Sequence, residues 1–436
     1  MPVIAQNPPV AGLTAPVPGA VPSPVGAGGR DGGQGRLGTL RQGKAAVITR
    51  QGGETPHYCE GLARVQLGEG FFRPESRPAR DVTVLLARWL TRRGPLRLLD
   101  LMAGCGIRSR RCALEAGIGA LWANDADPDR LPLLEANLAD LPSTLERRCT
   151  ALTAQRLLAG CLERQQRFEL VDLDAFGCPS ALVPLALDAV SFDGVLVLAS
   201  SDGRSPTGHD RPAAVRRLGA SARAHPASWE LALRLQLGVV AREAWAQGRG
   251  VWPLLSFSEG RTFRTAVQLR RAPAAGEELR LGLLAHCHGC GDQQVQPLLR
   301  LRTWAPCRCG GGASAATPPL AISGPLWIGP LQDPATLEAL LDEARQAPAS
   351  ACPASLRLLR RLADDPGETP RCWPLALIAR QLGGGPPPLQ ALIEALRRQG
   401  HGAWSSGVMD GQLRSDAPWP QILETAAGLR TAGAAK

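Results

Sequence analysis

The sequence lacks two patterns that place a protein in a membrane or beyond it. No uncharged hydrophobic run is long enough to span a bilayer, and no basic start leads into an apolar stretch and a cleavage site. These absences argue against an integral membrane protein and against a secreted one. We therefore expect a soluble, cytoplasmic protein with no membrane partner, and no obligate protein partner is evident.

Lysine is also scarce. It occurs only at Lys44 and Lys436, although the chain has 49 basic residues and a formal net charge of +10. Arginine suits bidentate contacts with phosphate, so the charge favours a polyanionic partner. A coding bias toward arginine codons would produce the same composition.

A hydrolase triad has little support in the sequence. The histidines at His57, His209, His225 and His401 are scattered and have no Ser or Cys partner at an informative spacing. The 12 cysteines of this large chain favour metal ligands or buried thiols over a disulfide framework.

The 436 residues are enough for two or three domains. Residues 1–53 are rich in Pro, Gly and Ala and have few aliphatic residues in any periodic order, which predicts a disordered tail. Residues 54–271 are then predicted to form one domain. The sequence pattern changes from about residue 272, which predicts a second domain over residues 272–436.

The stretch from Leu96 to Gly119 (LRLLDLMAGCGIRSRRCALEAGIG) is central to the first domain. Its apolar run ends at Asp100 and predicts a strand, Gly104 and Gly106 predict a tight turn, and the residues up to Ala116 predict a helix. The two glycines let the backbone pass close to a ligand. Free N–H groups at the start of the helix favour a negatively charged one.

A second strand, from Ala120 to Asn124, ends at Asp125. A carboxylate at this place, about 20 residues after the glycine turn, is positioned to bind a ribose diol in a doubly wound sheet. The alternative reading of these residues alone is an ordinary βαβ unit with a tight turn and a surface aspartate.

Strand and helix patterns continue to alternate beyond this point. They predict helices near residues 128–138, 155–165, 181–190 and 229–245, and strands near 169–173, 195–199, 251–257 and 263–269. Such alternation is typical of a parallel sheet covered by helices, so the predicted fold class is α/β. The last two strands favour the Rossmann-like sheet of a class I methyltransferase over a dinucleotide-binding dehydrogenase.

Asp174 and Phe176 follow the strand predicted near 169–173, at the edge where such sheets bind ligands. An exocyclic amine that attacks a methyl sulfonium needs a carboxylate to accept its N–H and to stabilise the growing positive charge, while an aromatic ring stacks on the base. The alternative is that Asp174 caps the next helix and Phe176 packs in the core. Asp172 is expected on the other face of the strand and is the weaker candidate. The stretch from Ser200 to Asp202 could line the same pocket, although a turn is the favoured reading.

Two cysteine pairs separated by sixteen residues predict a zinc site with four thiolate ligands, Cys287, Cys290, Cys307 and Cys309. The second pair is CxC instead of CxxC, and His286 and His288 are available as substitutes. The alternative is a reduced cysteine cluster without a metal.

Patterns after the cysteines predict helices near residues 334–346, 354–364, 375–382 and 389–399, and an extended end over 401–413. Two short helices and a hairpin resemble a winged-helix layout, a common nucleic-acid-binding shape. The second domain is therefore expected to be α+β, zinc-bearing and winged-helix-like.

Several motifs match those of one enzyme family. They are Phe71-Phe-Arg-Pro with Arg80-Asp81, the stretch from Leu99 to Arg111, Ala123-Asn-Asp125, and Asp172-Leu-Asp174-Ala-Phe176-Gly. With these residues the chain resembles the tRNA (guanine-N2)-dimethyltransferases from about residue 60 onward. That family uses S-adenosylmethionine to methylate the exocyclic amine of a guanosine in tRNA.

The resemblance implies a role for each matching position. Asp174 and Phe176 are the expected catalytic residues, tRNA is the expected partner, and dimethylation of guanine 26 is the expected reaction. S-adenosylmethionine is the expected cofactor. The residues expected to bind it are Arg80, Asp100, Gly104, Gly106, Arg108, Arg111, Asp125, Thr153 and Ala154.

The second domain carries two further matches, Gly324-Pro-Leu-Trp-Ile-Gly-Pro-Leu331 and Arg414-Ser-Asp416-Ala-Pro418. Three positions depart from the family pattern: Ala175 replaces a proline, Thr153-Ala154 replaces an Asp-Ala pair, and Ser201-Asp202-Gly203 replaces Thr-Asp-Thr. These departures leave open the alternative of a non-catalytic tRNA-binding protein that retains the fold. A further alternative is an amino-methyltransferase acting on DNA or protein, because the chemistry of the Asp-x-Phe-Gly motif suits any planar amine.

Overall fold

The computed structural model describes residues 57–307, 309 and 320–434. The tail predicted over residues 1–53 lies outside the described residues and stays a prediction. The described chain begins with a hairpin of two short strands, β1 (His57–Glu60) and β2 (Ala63–Gln66). This hairpin leads to the segment that precedes the first helix.

A seven-stranded sheet forms the centre of the next part of the chain. Its strands are β3 (Arg97–Asp100), β4 (Ala120–Asp125), β5 (Glu146–Ala151), β6 (Phe168–Ala175), β7 (Val190–Ser200), β8 (Gly250–Glu259) and β9 (Thr262–Arg270). Their order is β5-β4-β3-β6-β7-β9-β8. The strands pair in parallel from β5 to β7, and β9 is antiparallel to both of its neighbours. The predicted α/β class is therefore confirmed.

Helices cover both faces of this sheet. They are α1 (Arg77–Thr91), α2 (Ile107–Ala116), α3 (Leu131–Leu138), α4 (Ala154–Glu163), α5 (Val183–Ala189), α6 (Arg211–Leu218) and α7 (Ser228–Ala246). Side chains alternate along a strand, so Leu98 of β3 packs with α1 and α2 while Leu99 packs with α4 and α5. Because both faces of the sheet are buried, the sequences of these strands are nearly continuous hydrophobic runs.

The described residues after β9 form two small sheets and five α-helices. Their elements are β10 (Leu281–His286), β11 (Gln293–Pro297), β12 (Ala321–Trp327), α8 (Pro334–Gln346), α9 (Pro353–Ala363), β13 (Cys372–Pro374), α10 (Leu375–Leu382), α11 (Leu389–Arg398), β14 (Ala403–Ser405), β15 (Gln412–Ser415) and α12 (Trp419–Ala434). Leu326 of β12 and Leu340 of α8 belong to the cores on the two faces of the large sheet. A separate core around Trp373 joins α10, α11 and α12. The predicted boundary between residues 271 and 272 and the winged-helix layout stay predictions.

The sequence patterns missed several elements. The edge strand β5 was missed because its sequence, ERRCTA, is charged and largely exposed and has no apolar periodicity. The helix α6 and the sheet of β10, β11 and β12 were also missed. The expectation that the chain ends in an extended segment is wrong, because β15 is followed by the helix α12.

Candidate cofactor and catalytic site

The glycine turn lies between β3 and α2. Gly104 and Gly106 adopt left-handed backbone conformations with φ of 56° and 78°, which favour glycine. A Cβ built on Gly104 would meet no atom within 4 Å, so the turn faces open space. The backbone N–H of Gly104 donates to Oδ2 of Asp125 at 2.9 Å, which joins the turn to the tip of β4. This open space beside a half-buried carboxylate fits a ligand with a sugar diol.

Asp100 lies beneath this turn and is fully buried. Its Oδ2 accepts a hydrogen bond from the Ser109 hydroxyl at 2.8 Å, and burial raises the pKa of Asp100. The carboxylate therefore ties the end of β3 to the first turn of α2. The structure places Asp100 under the predicted cofactor position instead of on its surface.

Thr153 and Ala154 begin α4, immediately after β5. The Thr153 hydroxyl accepts a hydrogen bond from the N–H of Arg156 at 3.4 Å and caps this helix. The buried amide of Asn124 donates to the carbonyls of Leu101 and Leu152 at 3.1 and 2.8 Å. Asn124 therefore fixes the loop before Thr153 against the end of β3, a role that no sequence pattern indicated.

Arg108, from the first turn of α2, links two carboxylates of β6. Its guanidinium donates to Asp172 and to Asp174 at 2.7 Å each. The expectation that Asp172 lies on the other face of the strand is wrong, because residues two apart on a strand share a face. Asp172 also accepts from the Thr83 hydroxyl at 3.1 Å and is fully buried, so it supports Arg108 from behind.

Arg264 is a second arginine at this carboxylate, and no sequence motif assigned it to the site. The register pairs Asp174 with Ala199 and Ala199 with Arg264, so the three residues form one row across β6, β7 and β9. The small Ala199 side chain leaves room for Arg264 to reach Oδ2 of Asp174 at 3.1 Å. The alternation of Arg264 and Gln268 with apolar residues was the available signal in the sequence of β9, but only strand register identifies the partner of Arg264.

The two carboxylates differ in protonation. Burial would raise the pKa of Asp174, but the charges of Arg264 and Arg108 lower it well below its usual range. Burial raises the pKa of Asp172 to about 7 against the opposing effect of Arg108, and the negative charges of Asp100 and Asp174 raise it further. Asp174 is therefore the ionised member at neutral pH.

Phe176 follows directly after β6 and is 77% exposed, which excludes the core-packing alternative. Phe71 is 65% exposed, and its ring contacts that of Phe176 edge to face with centroids 5.3 Å apart. Two large exposed aromatic rings in contact leave apolar surface available to a planar ligand. Asp174, for its part, pairs with arginines instead of capping the next helix.

The loop after Phe176 is held from β7. The Ser201 hydroxyl accepts a hydrogen bond from the N–H of Gly177 at 2.7 Å, and the Ser200 hydroxyl donates to the Gly177 carbonyl at 3.0 Å. Asp202 accepts from the N–H groups of Arg204 and Ser205, so it forms the turn that the sequence favoured. These bonds fix the loop where Ala175 replaces the family's proline.

Arg80 and Arg111 lie in a buried ion cluster around Glu60. Burial would raise the pKa of Glu60, but hydrogen bonds and charge from Arg80, with the charge of Arg111, lower it. Arg111 is fully buried and also donates to Asp81, Glu115 and a main-chain carbonyl. The structure places both arginines among protein acceptors. Their predicted cofactor contacts stay predictions.

Arg80 also holds the chain that carries Phe71. Its guanidinium donates to the carbonyls of Arg73 and Pro74 at 3.0 and 3.2 Å, while its other bonds reach Glu60. Phe71 therefore belongs to a segment that the start of α1 anchors.

The four predicted zinc ligands come together in the second half of the chain. The sulfur atoms of Cys287, Cys290, Cys307 and Cys309 all lie within 4.8 Å of one another. Three of the separations are 3.4, 3.5 and 3.0 Å, compared with an edge of about 3.8 Å for a tetrahedron with Zn–S bonds of about 2.3 Å. The donor set and its dimensions fit a zinc ion. His286 and His288 are not members of this group.

The fold and the site together define a class of enzyme. A glycine turn after one parallel strand, an acid at the tip of the next, and one antiparallel strand near the sheet edge are the features of class I S-adenosylmethionine-dependent methyltransferases. Within the described part of the chain, no helix is both long and apolar enough to cross a membrane.

Comparison with known proteins identifies the family. The chain belongs to the N2,N2-dimethylguanosine tRNA methyltransferases, whose family model matches residues 55–427. It is 32% identical over 357 residues to the tRNA (guanine(26)-N(2))-dimethyltransferase of Methanosphaerula palustris, covering 81% of this chain and 90% of the relative. The enzyme of the same name from Thermococcus kodakarensis is 29% identical over 389 residues, covering 84% and 97%.

A solved structure agrees with the sequence relatives. Trm1 from Pyrococcus horikoshii, in complex with S-adenosyl-L-methionine, superposes with a TM-score of 0.73 at 25% identity. The match covers 85% of this chain and 99% of that one. The shared architecture therefore extends across both the methyltransferase sheet and the C-terminal elements.

Proposed function

We propose that this protein transfers methyl groups from S-adenosylmethionine to the exocyclic N2 amine of guanine 26 in tRNA. Its family and the names of its relatives support the substrate and the reaction. The observation that carries the proposal is the arrangement at Asp174, where two arginines hold one carboxylate oxygen at the end of β6. An enzyme acting on tRNA also fits the cytoplasm as its compartment.

Asp174 is suited to stabilise a cation. Arg108 and Arg264 both bind Oδ2, and among the described residues no hydrogen bond reaches Oδ1. Oδ1 is free to accept an N–H of the guanine amine and to orient its lone pair. Because its pKa is lowered, Asp174 is a weak base that stabilises the positive charge on nitrogen, and the proton then leaves to water.

Phe71 and Phe176 are proposed to bind the base. A guanine taken out of its RNA stack needs a replacement for the lost stacking, and exposed aromatic rings supply it. The two rings lie in contact on chain segments anchored by Arg80 and by Ser201. The base would then present its amine to Asp174, two residues before Phe176.

The cofactor is proposed to lie over the glycine turn. Gly104 and Gly106 would allow close approach, Asp125 would bind the ribose, and Thr153 and Ala154 would lie beside the adenine. When bound, S-adenosylmethionine supplies an electrophilic methyl group on a sulfonium ion. Asp100 and Arg108 would support this surface from beneath, and Arg80 and Arg111 would position the segments around it.

The test is methylation of bulk tRNA by the full-length protein, followed by digestion to nucleosides and mass spectrometry. We expect N2,N2-dimethylguanosine from wild type, and an Asp174→Asn variant should reduce kcat about 100- to 1000-fold with S-adenosylmethionine affinity nearly unchanged. The exposed Asp364 has no ion pair among the described residues, so Asp364→Asn is the matched control and should retain full activity.

Three results would contradict this proposal. Absence of methylguanosine with wild type would remove the enzymatic function, and tRNA binding without cofactor binding in calorimetry would favour a non-catalytic binding protein. Equal activity of wild type and Asp174→Asn would move catalysis to another residue. Binding of tRNA should weaken steeply as salt rises, whereas cofactor binding should not.

A further inference from the structure

A groove on the C-terminal half of the chain lies outside the proposed active site. It is formed by the residues before α7, the end of β10 and the start of α10, and it has a volume of about 530 Å³. This size is within the range of nucleotide-sized ligand sites. Three histidines and Arg380 provide its polar groups, while prolines and Leu377 provide its apolar wall.

The histidines form a continuous set of rings. His225 contacts His286 with ring centroids 5.0 Å apart, and His286 contacts His288 at 4.9 Å, both edge to face. His288 is exposed at the mouth, whereas His286 is 3% exposed. The rings therefore extend from the surface into the groove and offer faces and edges to a planar ligand.

Buried nitrogen atoms at this groove are without satisfactory partners. Nδ1 of His286 has no hydrogen-bond partner within the described parts of the chain. In His225 the Nδ1 atom accepts from the N–H of Ala227 at 3.0 Å, so the proton of the neutral ring is on Nε2. Nε2 makes no hydrogen bond that meets geometric criteria within the described residues, and the nearby Gln293 amide pairs with the main chain of Cys372. A buried polar group without a partner is costly, which favours a polar ligand here.

The charged groups that line the groove indicate which ligand charge it favours. Arg380 is exposed, makes no ion pair among the described residues, and is the charged group of the lining. No carboxylate is present among the lining residues described. An arginine with imidazole N–H groups and no carboxylate favours an anion such as phosphate over a metal cation.

We infer that this groove binds an unpaired nucleotide of the RNA substrate, with the base against the imidazole rings and the phosphate at Arg380. The inference rests on the proposed function, because it takes RNA as the substrate. Histidine rings and apolar side chains are surfaces on which unstacked bases lie, and arginine binds the backbone phosphate. The groove would thus hold a single-stranded part of the RNA away from the methylated base.

The test measures binding of a fluorescently labelled uridine decamer to the full-length protein by anisotropy over a range of salt concentrations. Arg380→Ala should weaken binding about tenfold and reduce the slope of log affinity against log salt by about 0.7, as expected for one phosphate contact with a single strand. His288→Ala should weaken binding at least about fivefold without changing that slope, because stacking is not a charge interaction. Both side chains are exposed, so the fold should be retained, and thermal melting checks this.

Arg357→Ala is the matched control, because Arg357 is an exposed arginine on α9 outside the groove and without an ion pair among the described residues. It should bind the decamer as wild type does. The inference is overturned if both groove variants bind like wild type at every salt concentration, if wild type does not bind the decamer, or if Arg357→Ala loses as much affinity as Arg380→Ala. If wild type methylates tRNA while the groove variants bind RNA normally, the groove assignment fails and the proposed enzymatic function remains.

Discussion

At the scale of residues, the site depends on two arginines that give one carboxylate its ionised form. Arg108 and Arg264 approach Asp174 from a helix and from a strand, and both bind the same oxygen. Asp172 lies two residues earlier, is fully buried, and shares Arg108 with Asp174. Negative charge at this edge of the sheet is therefore concentrated on Asp174, because the raised pKa of Asp172 limits its own ionisation.

The protonation of Asp172 gives a prediction for stability against pH. Its pKa is raised to about 7 in the folded protein, whereas an unfolded aspartate has a pKa of about 3.9. The folded state then holds a proton that the unfolded chain has lost, so this group's contribution to stability falls as pH rises. Relative to Asp172→Asn, the wild-type free energy of unfolding should decrease between about pH 4 and 7, by at most about 1.4 kcal/mol per pH unit, and level off above.

Urea unfolding of both proteins at several pH values measures this difference. Asp364→Asn is the control for an aspartate substitution at an exposed position outside the site. A difference between wild type and Asp172→Asn that stays constant from pH 4 to 8 would be inconsistent with a raised pKa.

At the scale of elements, the helix α2 has a left-handed glycine at each end. Gly106 precedes the helix and Gly117 ends it, with φ of 78° and 65°. Gly104, one turn before the helix, has φ of 56° and open space beside its Cα. The same left-handed backbone conformation therefore forms a ligand surface before the helix and ends the helix at its other terminus.

Because Gly104 and Gly117 share this conformation, alanine substitutions at the two positions give a controlled test of the cofactor surface. Gly104→Ala should weaken S-adenosylmethionine binding at least about tenfold, because the methyl group would occupy the open space beside Asp125. Gly117→Ala introduces similar backbone strain, about 1 kcal/mol, and also meets no atom within 4 Å, but it should leave cofactor affinity unchanged. Calorimetry with both variants measures the difference. Equal loss in the two variants would show that strain, and not the ligand surface, is responsible.

The cysteine cluster is tied to a neighbouring core. Trp419 donates to the carbonyl of Cys290 at 2.8 Å, and Trp373 donates to that of Gly291 at 2.8 Å. The two indoles stack with centroids 5.3 Å apart within the core of α10, α11 and α12. The loop that carries two predicted zinc ligands therefore rests directly on this core.

We expect one zinc ion per chain, and its removal by a chelator should lower the melting temperature. Metal analysis and thermal melting of the purified protein test this. Cys290→Ser should lose the metal and melt at a lower temperature, whereas Cys149→Ser, a half-buried thiol outside the cluster, should retain it. Wild-type protein that contains no zinc after purification in zinc-supplemented medium would contradict the assignment.

At the scale of the whole molecule, a buried ion network joins the methyltransferase sheet to the C-terminal elements. Arg414 of β15 is fully buried and binds Glu230 of α7 at 2.5 and 2.6 Å and Asp365 at 2.7 and 3.0 Å. Arg234 of α7 pairs with the same glutamate at 2.8 Å. Burial would lower the pKa of Arg414, but Asp365 and Glu230 raise it, so it stays charged. This network fixes β15 against α7.

Removing Arg414 should destabilise the protein strongly. In Arg414→Met, Asp365 loses its arginine partner and Glu230 keeps Arg234, while both carboxylates remain buried. We expect a loss of about 3–5 kcal/mol in the free energy of unfolding by urea. Arg398→Met, at an exposed arginine at the end of α11, should change it by less than about 0.5 kcal/mol. A loss below about 1 kcal/mol in Arg414→Met would indicate that water reaches the network.

Local patterns in the sequence determined much of this protein. Apolar runs, glycines and terminal acids predicted the strands β3, β4, β6 and β7, the turn at Gly104 and the position of Asp174, because each depends on residues that are neighbours in the chain. The spacing of the cysteines likewise predicted the cluster that the fold assembles. These features required no knowledge of distant contacts.

The tertiary structure alone decided which distant residues meet. Arg264 reaches Asp174 only through the register of three strands with the small Ala199 between them, and Arg111 is drawn into a cluster with Glu60 and Asp81. The exposed edge strand β5 carries no periodic signal, since it has little apolar surface to bury. Pairing across strands and burial of charge depend on three-dimensional packing. The linear order of residue types therefore does not identify which distant residues become partners.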